Sequence, residues 1–194
     1  VYKISLNYYR NCDTSAAQFQ TYFDLYICYD SSNTNYKRLY AQISLDKINT
    51  QPVTLPVLDT TCYYNNNWCV EKAYYEATVI LSEDTTWHLF LNDGARNVSI
   101  NNLIQPDSTG IFFYTVIPAG ISNSTPQFSS SPTPFICNLD TVQLSNLAFD
   151  SDGDSLAYKL VSPYGNLGVN NLMTYQDINL NLYFLFPLPT VIYS

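Results

Sequence analysis

Positive charge is scarce in this chain: eight Lys and Arg stand against sixteen Asp and Glu, for a net charge of −8. So few cations cannot build a phosphate-neutralising patch, which excludes nucleic acid and anionic membrane surfaces as partners. Histidine is scarcer still. His88 is the only one; it has no zinc-type spacing to the cysteines and no nucleophile pattern near it, so beside Trp87 it reads as a structural residue. Six glycines leave no phosphate-cradling loop, and a Gly-x-Ser-x-Gly elbow is missing. No apolar run reaches the roughly 18 residues of a membrane span, so membrane insertion is not expected. Glu71 is the one residue that invites comparison with a glycosidase acid, but the sequence places no second carboxylate for it, and a local ion pair beside Lys72 is the simpler reading. The chain is expected not to be an enzyme.

What is abundant is aromatic and turn-forming. Eighteen tyrosines and ten phenylalanines, with plentiful Asn, Ser and Thr, make a strand-and-turn composition, and the fold class expected is all-β. Alternation marks strands at residues 1–10, Phe19 to Tyr29, Leu39 to Leu45, Ala73 to Leu81, Trp87 to Leu91, Val98 to Leu103 and Ile111 to Ile117. Trp87 to Leu91 is expected to partner Ala73 to Leu81. Ser122 to Pro134 is rich in Ser, Thr and Pro and reads as a linker. The organisation expected is therefore two Ig-like or jelly-roll-type β-sandwich units, at 1–121 and 135–194, joined by 122–134. The second shows too few strands for a sandwich and looks incomplete, to be finished by another chain or by a continuation of this one. Val1 already opens a strand, which suggests a mature piece whose targeting segment has gone.

In the second unit, Asp150, Asp152 and Asp154 alternate around Gly153 at the mouth of the apolar run Leu156 to Val161. Hard oxygen ligands on a tight turn suit calcium, against the simpler alternative of a solvated Asp-Gly turn. An EF-hand is excluded, because its twelfth position is Val161 rather than glutamate. Five cysteines imply disulfides and an oxidising, extracellular compartment, with one sulfur left over. Cys62 and Cys69 enclose a short polar loop and are expected to pair; Cys12 is then expected to join Cys28 or Cys137.

Several short motifs in order resemble the secreted surface proteins of gliding, Bacteroidetes-type bacteria, large type IX-exported adhesins or filament proteins with PKD-like or cadherin-like domains. They are Tyr8-Tyr9-Arg10-Asn11-Cys12, Cys69-Val70-Glu71-Lys72 with Tyr75, Ala77 and Val79, Arg96-Asn97 with Pro106 to Gly110, Ser124 to Phe128, Pro134 to Cys137, and Asp152-Gly153-Asp154-Ser155-Leu156. The chain departs from that family at Gly94-Ala95, where adjacent cysteines are usual, and at Ala73, where glycine is, so the family's disulfide scheme does not transfer. The resemblance implies O-glycans on Asp-Ser/Thr sites, here Thr60, Thr85, Ser108, Thr141 and Ser155.

The function expected is a structural, adhesive subunit at the cell surface whose partner is itself. The apolar tail, with Leu182, Phe184, Phe186 and Leu188 along one edge, would add a strand to a neighbouring copy or pair with later domains of a longer chain. A carbohydrate-binding module is the alternative, with Trp68, Trp87 and Tyr75 as sugar-stacking rings.

Overall fold

Half-buried Tyr2, Ile4, Leu6 and Tyr8 alternate with exposed Lys3, Ser5 and Asn7, as a strand with one covered face requires. They form the first strand of a computed structural model that describes residues 1–12, 17–30, 37–53, 69–94, 96, 106–108, 110–129, 147–161 and 190–192. The strands are β1 (Tyr2–Asn11), β2 (Tyr22–Asp30), β3 (Lys37–Pro52), β4 (Val70–Val79), β5 (Trp87–Asp93) and β6 (Ile111–Ile117). Four short ones follow, β7 (Gln127–Phe128), β8 (Ala148–Phe149), β9 (Lys159–Val161) and β10 (Thr190–Ile192). The protein is all-β, as its composition implies. β1 to β6 form one sheet in the order β1-β4-β3-β2-β5-β6, while β7 pairs with β8 and β9 with β10.

Contacts group the chain differently from the expected succession of 1–121, 122–134 and 135–194. One unit gathers Val1–Tyr22, Leu45–Val79 and Ser124–Ser155, and the other Phe23–Ser44, Ile80–Asn123 and Leu156–Ser194. Each is woven from three stretches because antiparallel strands find partners across long connections, not in the order they are made.

In the first unit β4 lies between β1 and the end of β3. β1 and β4 pair without interruption from Tyr2↔Val79 to Asn11↔Val70. β3 and β4 pair from Asp46↔Glu76 to Pro52↔Glu71, with a register shift between Lys47 and Asn49 that leaves Ile48 outward. Leu45, Ala73 and Tyr75 are fully buried. The Tyr75 hydroxyl donates to the Gln20 carbonyl at 2.8 Å, and Lys47 N–H to the Thr21 carbonyl at 2.9 Å. A buried phenol needs such an acceptor, and this one fixes the approach to β2.

In the second unit β5 is flanked by β2 and β6, with registers Tyr26↔Phe90 to Tyr29↔Trp87 and Trp87↔Ile117 to Asp93↔Ile111. The expected pairing of Trp87 to Leu91 with Ala73 to Leu81 is therefore corrected. Five consecutive β5 residues, Trp87 to Leu91, are buried, and on β2 the neighbours Ile27 and Cys28 are both wholly inaccessible. Successive side chains point to opposite faces, so both faces are covered here. Trp87 packs edge-on against Tyr29 and Tyr40 and donates its indole N–H to the Ser82 carbonyl at 2.8 Å.

The disulfide expectation is overturned by β1/β4 register. Cys12 and Cys69 follow Asn11↔Val70 as the next opposed pair, with Cα atoms 5.2 Å apart, and they are bonded. Cys69 is thus not paired with Cys62, and Cys12 is paired with neither Cys28 nor Cys137. Cys28 keeps a buried thiol. Closeness in sequence favours a short loop, but a ten-residue ladder sets which sulfurs meet. Cys62, Cys137, Trp68, Thr60, Thr141, Leu182, Phe184, Phe186 and Leu188 lie outside the described residues, as does the expected strand from Val98 to Leu103. The run Leu156 to Val161 is strand only from Lys159.

Closing 57 residues by one covalent bond stabilises the fold by about 4 kcal/mol on the loop-entropy estimate. The double variant Cys12→Ser/Cys69→Ser is expected to lower the urea midpoint by that equivalent, and reducing the wild-type protein should reach the same midpoint. Peptide mapping under non-reducing conditions should recover Cys12 linked to Cys69.

Candidate functional site

The acidic turn follows directly on β8. Gly153 sits at φ +84°, a left-handed conformation that glycine adopts without a Cβ penalty, and its N–H reaches back to the Asp150 carbonyl at 3.4 Å. The Asp150 carboxylate turns inward on its own loop: Oδ1 accepts from Asp152 N–H at 2.8 Å and Asp154 N–H at 3.3 Å. Asp152 points elsewhere, its Oδ2 accepting from Ser124 N–H at 2.6 Å. The sequence places three carboxylates together, and the fold uses two of them separately to satisfy backbone donors. Among the described residues no three His, Cys, Asp or Glu side chains are grouped to hold a metal ion.

A second polar constellation lies on the face shared by Tyr26, Cys28, Phe90 and Tyr114. His88 is 6% exposed, the one buried polar residue among those described. Its Nδ1 lies 2.6 Å from the Tyr114 hydroxyl and its Nε2 3.2 Å from Asp30 Oδ1. A carboxylate only accepts, so Nε2 carries a proton; Nδ1 then accepts from the phenol when the ring is neutral and donates to it when the ring is charged. The chain Tyr114–His88–Asp30 thus pins β6, β5 and β2 together. Around it Tyr26 stacks on Phe90 at 5.2 Å between centroids, and Phe90 on Phe112 at 5.6 Å. His88 ties three strands, and its two partners lie 58 residues upstream and 26 downstream and carry no local signal.

Other charges serve as ties between strands. Arg10 grips Glu71 Oε2 with Nε at 3.1 Å and Nη2 at 2.9 Å, donates Nη1 to the Ala17 carbonyl at 3.0 Å, and lies over the Phe19 ring. Glu71 therefore answers Arg10 on β1, not its neighbour Lys72. Register sets Glu76 opposite Asp46, a like charge, and Lys3 compensates at 2.7 Å on Glu76 Oε2, where Tyr74 also donates at 2.7 Å.

Of the three rings nominated for sugar stacking, the two among the described residues are not on the surface. Trp87 is 5% exposed and Tyr75 is not exposed at all, because alternation identifies a strand face without telling which face is wet. Of the nominated glycan acceptors, Ser155 is exposed and the Thr85 hydroxyl is engaged with Asp84 and Ser82; Ser108 belongs to a single 3-10 turn, Pro106–Ser108. No family model, curated protein or solved structure matches the chain.

Two outcomes follow from these ties. Tyr114→Phe removes the phenol partner of a buried imidazole and is expected to cost about 1 to 2 kcal/mol in urea denaturation; combined with His88→Gln it should cost clearly less than the sum of the two alone. Asp30, well exposed at 60%, should contribute less than Tyr114.

The hydrogen bond from Lys3, then that from Tyr74, holds the Glu76 carboxyl below its usual 4.5, while bonding to Glu76 raises Lys3 above 10.5 and Tyr74 above 10.0. A lowered carboxyl stabilises the fold above its unfolded value and loses that contribution as pH falls through the folded one. The raised groups contribute below their unfolded values and lose it as pH rises through the folded ones. Thermal melts should thus show Glu76→Gln flattening the acid limb below 4.5, and Lys3→Met removing part of it.

Proposed function

We propose that this chain is an exported, non-catalytic building unit of a cell-surface filament or adhesin, associating with copies of itself and akin to the surface proteins of gliding bacteria that its motifs resemble. The observation that carries the reading is the Cys12–Cys69 bond, which closes one end of the β1/β4 ladder across 57 residues. A bond of that kind forms and persists in an oxidising compartment, so it supports extracellular residence. The use of charged groups supports a structural role: Arg10, Glu71, Lys3, Glu76, Asp30 and His88 are each spent on joining strands.

Strand exchange through the tail, at Leu182, Phe184, Phe186 and Leu188, is part of the same proposal, as are glycans at turn positions such as Ser155. Calcium at Asp150, Asp152 and Asp154 would require Asp152 to leave Ser124 and turn toward Asp150; calcium raising the melting temperature over chelator, and Asp152→Ala abolishing the difference, would establish it. The carbohydrate-binding alternative loses Trp87 and Tyr75 to the core.

The oxidised protein, purified and concentrated, should form dimers or larger species by light scattering coupled to size exclusion, and fluorescent antibody should label intact producing cells without permeabilisation. A 22.1 kDa monomer at every concentration, confined within the cells, would overturn the proposal.

A further inference from the structure

The β1/β4 register decides which backbone groups of β1 point away from its partner. Cys12 N–H bonds to the Cys69 carbonyl at 3.1 Å, and along an antiparallel ladder hydrogen-bonded pairs alternate with pairs that are not. The ladder runs to Tyr2 with no shift. Even-numbered residues therefore direct N–H and C=O to β4, and Lys3, Ser5, Asn7 and Tyr9 direct theirs to the other side. Among the described residues β1 is a terminal strand of the sheet.

Such an edge is usually guarded by short length, proline, a bulge or unpaired lysine. β1 spans ten residues, contains no proline, has no bulge against β4, and has both its cations drawn back onto Glu76 and Glu71. It also contains no carboxylate in a chain of net charge −8, so two copies approach one another here against little repulsion.

The strand is, in addition, complementary to itself. In a twofold antiparallel pairing about Leu6, Ser5 meets Asn7 of the second copy, Lys3 meets Tyr9, Ile4 meets Tyr8 and Tyr2 meets Arg10. Odd residues meet odd ones, so the outward N–H and C=O groups find each other. Each cation meets an aromatic ring instead of another cation, and the half-buried apolar face continues from one strand to the next.

We propose that β1 is the surface through which two copies of this chain join, edge to edge and antiparallel about Leu6. The inference rests on the self-associating reading above and names its surface. Main-chain bonds supply the attraction, and Ser5 set against Asn7 with Ile4 against Tyr8 supplies the register.

Proline at an odd position tests it, because Ser5→Pro removes an outward amide and no main-chain bond to β4, losing there only the side-chain hydrogen bond between Ser5 and Tyr74. Ser5→Pro should keep the Cys12–Cys69 bond and a cooperative melt while weakening self-association at least about tenfold. Leu6→Cys, the position on the twofold axis, should cross-link to itself under mild oxidation, whereas Lys3→Cys should not. If Ser5→Pro lacks the native disulfide, the Leu6→Cys result decides alone. Wild-type dimers that neither cross-link through Leu6→Cys nor respond to Ser5→Pro would overturn the β1 interface and leave self-association standing; a wild-type monomer at all concentrations would overturn both.

Discussion

Ile27 and Cys28 are consecutive on one strand and both are sealed from water, which requires that each face of the second unit's sheet at β2 be covered. The composition of the neighbouring strand follows from that constraint. From Trp87 to Leu91 β5 has no wet side, so it reads Trp-His-Leu-Phe-Leu with no alternation, and its one polar member must find partners on the strands beside it. His88 does so by taking Tyr114 from β6 on one nitrogen and Asp30 from β2 on the other. A polar ring buried without them would cost more than the packing around it returns.

The first unit is held differently. Its strands keep a wetter face, with Lys3, Ser5 and Asn7 exposed along β1, and its cohesion comes from ties that cross strands: the disulfide, the Arg10 grip on Glu71, and the two groups, Lys3 and Tyr74, that share one oxygen of Glu76. The Asp46↔Glu76 opposition shows how tightly these are coupled to register. Two carboxylates stand opposite each other in the register of β3 and β4, and it is a residue of β1, one strand further on, that pairs with Glu76.

Period-two alternation made the fold class and most strands legible: β6 has the bounds expected for it, and β1 differs by a residue at each end. Strand adjacency was not legible. Nothing within Trp87 to Leu91 says that its neighbours are β2 and β6 and not the strand just before it, because pairing is settled by long-range packing. The same gap explains the cysteines, since Cys69 looks local to Cys62 until β1 is laid along β4. It also explains Trp87 and Tyr75, whose amphipathic rings suit a surface or a core equally well. At the acidic turn, Asp-Gly correctly signalled a tight bend at Gly153, but carboxylate direction depends on which backbone donors come within reach, and Ser124 arrives from another stretch of the chain.

The place of the disulfide has a mechanical consequence. β2 and β3, the two middle strands of the six, both lie between Cys12 and Cys69. Tension applied from outside that span passes across the sulfur bridge and bypasses them. While the bridge is intact, a chain pulled from outside the Cys12–Cys69 span can peel β1, β5 or β6 without drawing out the residues between the two cysteines. Reducing it would free 57 residues, adding about 190 Å of slack at some 3.4 Å per residue. Oxidation thus divides this protein into a stretch that can yield to force and a stretch that is spared it.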